Sequence, residues 1–432
     1  MKIGSAIRYI VVFVFAMNLN ADIQLIKKEN NDSNTTLLVV GGIHGNEPGG
    51  YFSASILATH YKVTSKNLWI IPNLNKDSVM ENQRGVNGDM NRKFSKIGDH
   101  DKDKQIIDEI KKIILSDNIS LVLNLHDGHG FYREKNQGSI FNPNAWGQTC
   151  VIDQCNLKEE QKFGNLNNIA STVKDNINKK LLEKHHNFNV KNTKTKYEDE
   201  AMKLSLTYFA VTNGKPAFAI ETSKNLSSLS QKVFYQLVAI EEFMKIMDIP
   251  FIRDFDLNAQ NISKIMTDHG YLTINDRIKL NLSDIKKYLS FIPLKLGTNR
   301  FEFSNPLGEF KKTMNGYEVF VGSEKITTLK PQYFKQSDCC QNKFDVIMDG
   351  NEFSVDNTSS FLVNTDFEIL KSENSRVNVI GYYGKNRIDE SNVKIKLENL
   401  NREFAIDKSN KVYRVEFYNN NEFCQMSTVE FK

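Results

Sequence analysis

Two short segments place histidine and glutamate side chains where they could bind a metal ion. The segment GGIHGNEP contains His44 and Glu47, and the segment NLHDGHG contains His126. A three-residue offset across a turn or a first helical turn lets an imidazole and a carboxylate converge on one ion. Two histidines and one glutamate are a typical catalytic zinc set, because three protein ligands leave the fourth tetrahedral position for water. The spacing therefore predicts a Zn²⁺ site at these three residues.

A further carboxylate, Glu221, follows the apolar run PAFAI in the segment PAFAIETS. An unpaired charge at the end of a buried strand is costly, so it is either neutralised by a partner such as Lys224 or placed to accept a proton. Zinc lowers the pKa of a bound water to roughly 7, and a nearby glutamate can then help to generate the attacking hydroxide. Glu221 is thus the candidate general base, with capping of the strand end as the alternative.

The segment QRGVNGDMNRKF supplies Arg84, Asn91 and Arg92 in a glycine-containing loop. A guanidinium fork can bind a carboxylate through two hydrogen bonds, and a second cation near a metal can stabilise the oxyanion that forms when water attacks a carbonyl. The alternative is a solvated basic loop. In NLHDGHG, we expect His129 to be a loop residue, while Asp127 either orients a metal ligand or caps the turn.

These residues follow apolar runs of strand length that alternate with amphipathic stretches, the pattern of an α/β sheet with helices on its faces. Ligands gather at the carboxyl ends of strands in such sheets. Strands are predicted at Thr36–Val40, 68–71, 121–125 and 216–220, and helices at Lys104–Leu115 and 228–247. After residue 250, alternating apolar and polar residues and turn pairs such as Asp349-Gly350 predict two β-rich regions, 251–340 and 341–432.

Composition and the first residues indicate an exported globular protein. The chain is 40% apolar and 25% charged, which is ordinary for a soluble fold. Lys2 and Arg8 precede an apolar run, and Ala21 ends a polar stretch, so residues 1–21 are typical of a secretory signal peptide, with an uncleaved anchor as the alternative. Loss of those two cations lowers the formal charge from +4 to +2, which gives no case for nucleic-acid binding.

Five cysteines leave at least one unpaired in an oxidising compartment. Cys150 and Cys155 could close a small disulfide loop or stay free, and the adjacent Cys339 and Cys340 could join each other only with strain.

Taken together, HxxE, an arginine followed by an Asn-Arg pair, a histidine after a strand and a glutamate after another strand resemble the zinc metallocarboxypeptidase family, in that family's order. The resemblance implies that His44, Glu47 and His126 bind zinc and that Arg84 polarises the scissile carbonyl. It implies that Asn91 and Arg92 hold the substrate's terminal carboxylate and that Glu221 is the general base. It covers roughly residues 35–250.

The whole chain is similar to the peptidoglycan D,L-carboxypeptidases that set helical cell shape in curved Gram-negative bacteria. That likeness implies an α/β carboxypeptidase-like domain with a mixed central sheet at 22–250, then a small β-barrel-like domain at 251–340 and an immunoglobulin-like sandwich at 341–432. It implies a periplasmic enzyme that hydrolyses the bond between D-glutamate and meso-diaminopimelate (mDAP) in tripeptides, leaving dipeptides. Trp146, Thr207 and Tyr208 are expected to line the substrate pocket, and cell-wall proteins are expected partners of the β-rich domains.

The sequence is also compatible with two other functions. N-acyl amino acid amidohydrolases also carry GGxHGNE-like segments and an Asn-Arg pair, and a cytoplasmic location would favour them. A cell-wall scaffold with a catalytically inactive first domain is the third hypothesis, although every metal and acid position is filled.

Overall fold

The computed structural model describes residues 23–30, 33–157, 161–337, 342–372, 375–384 and 388–432. The predicted signal peptide and the pair Cys339 and Cys340 lie outside the described residues. Within the described ranges, no helix is both long enough and apolar enough to cross a membrane.

The first part of the chain alternates strands and helices, as predicted. Its strands are β1 (Ile26–Lys28), β2 (Thr36–Val40), β3 (Tyr61–Val63), β4 (Asn67–Ile71), β5 (Ile119–Gly128), β6 (Phe131–Tyr132), β7 (Phe141–Asn142), β8 (Thr149–Ile152), β9 (Asn189–Asn192), β10 (Ala217–Ser223) and β11 (Phe251–Arg253). Its α-helices are α1 (Pro48–His60), α2 (Lys76–Met80), α3 (Lys104–Leu115), α4 (Leu166–Ile177), α5 (Thr195–Glu198), α6 (Leu206–Thr212), α7 (Leu229–Ile246) and α8 (Ala259–Thr267). All four predicted strands and both predicted helices are confirmed.

Seven of these strands form one mixed sheet in the order β1-β4-β2-β5-β10-β8-β9. The pairs β4–β2, β2–β5 and β5–β10 are parallel, whereas β1–β4 and β10–β8 are antiparallel. The central strands are buried along their whole length because helices cover both faces. The parallel arrangement brings the carboxyl ends of β4, β2, β5 and β10 to the same edge of the sheet.

Helices pack on this sheet through apolar stripes. In α3 the buried side chains are Ile107, Ile110 and Ile114, at the spacing of one helical face. The middle of α7 is buried almost completely, from Val233 to Met244. A single cluster of buried apolar side chains joins the sheet and these helices and extends to Ile262 in α8.

The rest of the chain is β-rich, as predicted. Its strands are β12 (Tyr271–Ile274), β13 (Ile278–Asn281), β14 (Tyr288–Lys295), β15 (Phe301–Phe303), β16 (Gly308–Thr313), β17 (Gly316–Val321), β18 (Glu324–Phe334), β19 (Lys343–Met348), β20 (Asn351–Asp356), β21 (Ser360–Val363), β22 (Asp366–Ile369), β23 (Arg376–Val379), β24 (Ile395–Lys396), β25 (Val412–Asn419) and β26 (Glu422–Phe431). The predicted turn Asp349-Gly350 joins β19 to β20, and both residues have positive φ (51° and 86°), as a tight two-residue hairpin requires.

One sheet connects the two predicted β-rich regions. Its order is β15-β12-β13-β26-β25-β23, with β21 also paired to β26, so strands from both sides of residue 340 share it. The sheets β14-β18-β17-β16 and β20-β19-β22-β24 complete the β-rich part. The proposed boundary at residue 340 therefore stays a prediction, and strand pairing runs across it.

The β-rich part also contacts the α/β part beside the predicted metal loop. The hydroxyl groups of Tyr51 in α1 and Ser323 lie 3.3 Å apart. Lys76 at the start of α2 pairs with Glu309 in β16 at 3.0 Å. Since α1 begins directly after Glu47, the Tyr51 contact braces the helix that follows the predicted ligands.

Of the five cysteines, Cys150, Cys155 and Cys424 are among the described residues, and Cys150 and Cys155 are free. Cys150 is buried, and burial raises the pKa of its thiol well above its usual range. Cys155 is exposed, with the side-chain amide of Asn192 at 3.2 Å from its sulfur. Cys150 and Cys155 are thus free thiols, whereas the sequence alone also allowed a disulfide bond between them.

Candidate active site

The predicted metal ligands and the predicted base lie at neighbouring strand ends. His44 and Glu47 are in the loop after β2, His126 is near the end of β5, and Glu221 is in β10. In the parallel pairing of β5 and β10, Glu221 is the register partner of His126. The sheet therefore brings together four side chains that are separated by up to 177 positions in the sequence.

Gly45 permits the loop after β2 to approach α2 closely. A Cβ atom at this position would lie 1.8 Å from the backbone oxygen of Ser78, so a larger residue would push the loop outward. Two residues later the chain enters α1, with Glu47 as the N-cap and Pro48 in the first turn. Glu47 is held at a positive helix end, which favours an ionised carboxylate.

Three potential ligand atoms converge at this edge. Nδ1 of His44 lies 3.1 Å from Oε1 of Glu47, and Nδ1 of His126 lies 2.8 Å from Oε2 of the same carboxylate. All three side chains are buried, with exposed fractions of 2–4%. The three donor atoms are within 4.8 Å of one another, which is close enough to hold one metal ion.

His44 carries the observation that best fits a metal. Its Nε2 atom is hydrogen-bonded to Oδ1 of Asp89 at 2.8 Å, whereas its buried Nδ1 atom has no hydrogen-bond partner among the described residues. A buried polar atom without a partner is costly, and a metal ion would satisfy it. Metal-binding histidines commonly donate their second ring N–H to a carboxylate in this way. The donor set therefore suits a divalent metal.

Electrostatics within the cluster follow from its close contacts. Burial opposes ionisation of Glu47, but the imidazoles of His44 and His126 outweigh it and hold the pKa of this carboxyl well below its usual range. Burial likewise opposes charge on His44, yet Glu47 and Asp89 raise its pKa. The close contacts of Glu47 with both imidazoles thus favour the ionised carboxylate, which is the form that binds a metal.

Glu221 has a different environment from Glu47. Burial is the main cause that raises its pKa to about 7, and the negative charges of Glu47 and Asp127 add to it. The neighbouring side chains of His126 and Arg84 act in the opposite direction. A carboxyl group with a pKa near neutrality can both accept and return a proton, as a general acid and base must.

Arg84 contacts the ligand cluster directly. Its Nη1 atom donates to Oε1 of Glu47 at 3.1 Å, and its Nε atom donates to Oδ2 of Asp89 at 2.9 Å. The side chain is 45% exposed, so the guanidinium group is held by two carboxylates and still faces the open side of the cluster. A substrate carbonyl at the metal would meet this cation.

Asn91 and Arg92 form the short helical turn that follows Asp89. The side-chain oxygen of Asn91 accepts a hydrogen bond from the backbone N–H of Leu206 at 2.9 Å, which ties the turn to the start of α6. Arg92 donates from Nη1 to the backbone oxygen of Asn91 at 3.0 Å. Within the described part of the chain these are the hydrogen bonds of the two side chains, so the amide nitrogen of Asn91 and the rest of the guanidinium are available to a ligand.

The three predicted pocket residues have contacts outside the ligand cluster. Thr207 and Tyr208 lie in the first turn of α6, where Thr207 is buried and contacts Ser205 (Oγ1 to Oγ, 3.2 Å). Trp146 lies under the ammonium of Lys191, which is 4.3 Å from the ring centre. Within the described ranges, no hydrogen bond or ion pair joins these three side chains to His44, Glu47 or His126, so their pocket role stays a prediction.

Two further residues support the site. The sequence left two roles open for Asp127 and did not indicate Gln236. Asp127 accepts hydrogen bonds from the backbone N–H of Gly49 at 2.9 Å and from the hydroxyl of Thr222 at 2.5 Å, so it caps the start of α1. Gln236 in α7 donates to the backbone oxygen of His126 at 2.7 Å and thereby fixes the strand end. His129 is exposed, as expected for a loop residue.

Asp89 was also missed, although its signal is in the sequence. It precedes the Asn-Arg pair by two residues, and its side chain caps the short turn by accepting the backbone N–H of Asn91 at 3.0 Å. Because Asp89 lies between two predicted cations, Arg84 and Arg92, its carboxylate was a candidate partner for a buried histidine.

A second group of potential ligands, Glu183, His185 and His186, lies away from these strand ends. The hydroxyl of Tyr235 is 3.0 Å from Nδ1 of His186 and already accepts backbone N–H groups of Leu182 and Glu183. Its hydrogen is then donated to Nδ1, which leaves Nε2 of His186 protonated and without a lone pair for a metal. The His44, Glu47 and His126 cluster is therefore the better metal site.

Comparison with known proteins agrees with this arrangement. A family model described as the catalytic part of the carboxypeptidase controlling helical cell shape matches residues 2–267. The chain belongs to this family. A second model, described as the C-terminal domain of metallo-carboxypeptidase, matches residues 337–432. As a member of the cell-shape carboxypeptidase family, the chain is a metallocarboxypeptidase, and the predicted α/β domain with a mixed sheet followed by β-rich regions is confirmed.

Solved structures of Csd4 from Helicobacter pylori resemble the chain over nearly its whole length. The apo form is 33% identical with a TM-score of 0.88, and the alignment covers 95% of this chain and 100% of that one. A tripeptide-bound form has 33% identity, a TM-score of 0.87 and the same coverage. An mDAP-bound form, described as a D,L-carboxypeptidase, is 34% identical with a TM-score of 0.88 and covers 94% of this chain and 100% of that one. Among curated proteins, the comparison finds no match.

Proposed function

We propose that this protein is a zinc-dependent D,L-carboxypeptidase that hydrolyses the bond between D-glutamate and mDAP in peptidoglycan tripeptides, leaves dipeptides and so influences cell shape. The observation that carries the proposal is the convergence of His44, Glu47 and His126 on one point beside Glu221. Whole-length similarity to Csd4, which has been solved with a tripeptide and with mDAP, supports the choice of substrate.

The metal is proposed to be zinc, held by His44, Glu47 and His126. Two imidazoles and one carboxylate are the donor set of open catalytic zinc sites. When bound, zinc would acidify water and polarise the scissile carbonyl.

The protein's own groups would then carry the proton and the charge. Glu221, the register partner of His126, accepts the proton of the attacking water on its carboxylate and returns a proton to the leaving amine. Arg84, which already approaches Glu47, stabilises the negative charge that develops on the carbonyl oxygen. Asn91 and Arg92 bind the terminal carboxylate of the leaving residue, a task for which a guanidinium and an amide are well matched.

The remaining parts of the chain are proposed to support the same hydrolysis of peptidoglycan tripeptides. Trp146, Thr207 and Tyr208 line the substrate pocket, and the ammonium of Lys191 lies over the Trp146 ring. The β-rich regions, a small barrel at 251–340 and an immunoglobulin-like sandwich at 341–432, contact cell-wall proteins. The substrate places the enzyme in the periplasm, reached through the signal peptide at residues 1–21, and cell fractionation tests this location.

The direct test of the proposed function is product analysis by mass spectrometry. Zinc-loaded protein is incubated with a defined muramyl tripeptide, and the expected products are the dipeptide and free mDAP. Unchanged tripeptide, or release of any other fragment, would contradict the proposal. An N-acylated single amino acid serves as the second substrate, since its cleavage in place of the tripeptide would indicate an amidohydrolase.

A further inference from the structure

Lys224 is a cation in the site to which the proposed mechanism assigns no role. It follows β10 directly, three residues after Glu221, and its backbone N–H donates to the backbone oxygen of Gly128 at 2.7 Å. This bond continues the pairing of β5 and β10 by one residue, so the Cα atom of Lys224 is held on rigid backbone at the strand ends.

The ammonium group of Lys224 points to the metal cluster. Its Nζ atom lies 3.7 Å from Oε1 of Glu47, the same oxygen that Arg84 contacts at 3.1 Å. Among the described residues, Glu47 is the one carboxylate within 4.0 Å of this ammonium. The Lys224 side chain is 19% exposed, so it is partly buried and still accessible from solvent.

Lys224 differs from the other cations in how it is held. Arg84 is fixed by two hydrogen bonds to Asp89 and Glu47. Lys191 donates to the backbone oxygens of Pro143 and Ala145 at 3.0 and 2.9 Å. The separation of 3.7 Å from Glu47 is too long for a hydrogen bond, so the three donors of the Lys224 ammonium are available to a ligand.

Metal binding would leave the positive charge of Lys224 less compensated by the carboxylate of Glu47. A divalent ion at His44 and His126 draws on the carboxylate of Glu47, the group that Lys224 faces. The loaded site then combines the metal with Arg84, which is already paired with Asp89 and Glu47, and with Lys224. The proposed function assigns the terminal carboxylate of the substrate to Asn91 and Arg92, so the ammonium of Lys224 is available to a second anionic group of the substrate.

The proposed substrate carries another carboxylate on the acyl side of the scissile bond. In peptidoglycan stem peptides, D-glutamate is linked to mDAP through its γ-carboxyl group, so its α-carboxylate stays free a few bonds from the scissile carbonyl. We infer that Lys224 binds this α-carboxylate and selects γ-linked glutamate over acyl groups that lack the charge. The inference rests on the proposed function and names the part of the substrate that Lys224 recognises.

The test compares two synthetic muramyl tripeptides that differ only at this group, one with the free α-carboxylate and one with the corresponding amide. Loss of one charge-assisted contact predicts that the unaltered enzyme prefers the free acid by about 10- to 100-fold in kcat/KM. Lys224→Met should reduce this preference to nearly none, through a higher KM for the free acid with kcat little changed. Lys224→Arg should retain it, and Lys112→Met, on an exposed position of α3, is the matched control.

Four results would overturn the inference. The first is an unchanged preference in Lys224→Met. The second is an equal loss of kcat on both substrates, which would instead place Lys224 at the scissile carbonyl. If the Met variant fails to fold, loss of the preference in a folded, zinc-loaded Lys224→Arg variant counts against it. Cleavage of neither substrate by the unaltered protein would overturn the proposed function itself, and this inference with it.

Discussion

Oδ1 of Asp89 lies 2.8 Å from Nε2 of His44, on the side of the ring opposite the unpartnered Nδ1 atom. This contact fixes the imidazole with Nδ1 directed at Glu47 and gives Nε2–H an acceptor. The same carboxylate binds Arg84, so one aspartate positions both a predicted ligand and a predicted cation.

Asp89→Asn should weaken zinc binding by about 10- to 100-fold, because an amide orients the imidazole less well than a carboxylate does. Competition with a fluorescent chelator measures the affinity. Asp99→Asn is the control, since that side chain is 90% exposed. Equal zinc affinity in the Asp89 variant and the unaltered protein would show that Asp89 does not support the metal site.

Glu221→Gln should lower the rate of tripeptide hydrolysis by about two to four orders of magnitude, the usual contribution of a general base. The amide has nearly the same shape, so the fold and the zinc content should be retained. Muropeptide turnover and zinc analysis of the same sample separate the two effects. Glu198→Gln, on an exposed position, is the control. A Gln variant with full activity would exclude Glu221 as the base.

The Glu221 carboxyl should titrate near pH 7 in the metal-free protein, whereas an ordinary glutamate titrates at about 4.5. Between these values the folded chain holds a proton that the unfolded chain has lost, so the contribution of Glu221 to stability falls as pH rises through this window. Carbon NMR of labelled carboxyl groups measures the titration, and Glu221→Gln assigns the resonance. Added zinc should lower the pKa, because a nearby cation favours the carboxylate. A midpoint below pH 5 without metal would contradict this description.

Arg414 and Glu416 form a buried ion pair in β25, with Nη1 and Oε1 3.3 Å apart. The hydroxyl of Tyr418 donates to the other oxygen of Glu416 at 2.5 Å. Arg414→Met should cost about 3–5 kcal/mol in the free energy of unfolding, because it leaves a buried charge without its partner.

Urea unfolding of the full chain measures this cost. The double variant Arg414→Met, Glu416→Gln should regain much of the loss, and Arg402→Met, at an exposed position, should change little. A single variant as stable as the unaltered protein would show that the pair is not needed for the β-rich part.

The strands and helices of the α/β part could be predicted from local patterns in the sequence. The run TLLVV predicts β2 at its observed ends, and the isoleucine spacing predicts α3 at its observed ends. Because parallel strands present their carboxyl ends together, the positions of His44, His126 and Glu221 after apolar runs were enough to predict that they meet.

Other features depend on contacts that the sequence does not display. The sheet that joins β13 to β26 pairs residues almost 150 positions apart, and alternation predicts strands without naming their partners. The sequence suggested Lys224 as a partner of Glu221. Among the described residues, the carboxylate within 4.0 Å of the Lys224 ammonium is instead that of Glu47. The direction of a side chain beyond a strand end is set by tertiary packing, which the sequence does not display. The role of Gln236 likewise requires α7 to lie against the sheet.

We propose that the cluster of His44, Glu47 and His126 holds the metal on which tripeptide hydrolysis depends. A titration of metal-free protein with zinc, while mDAP release is measured, tests this claim. Activity should be near zero without metal, rise in proportion to bound zinc and level off at one ion per chain, with no rise in a His126→Ala variant. Full activity without metal, or an equal zinc response in that variant, would contradict the claim.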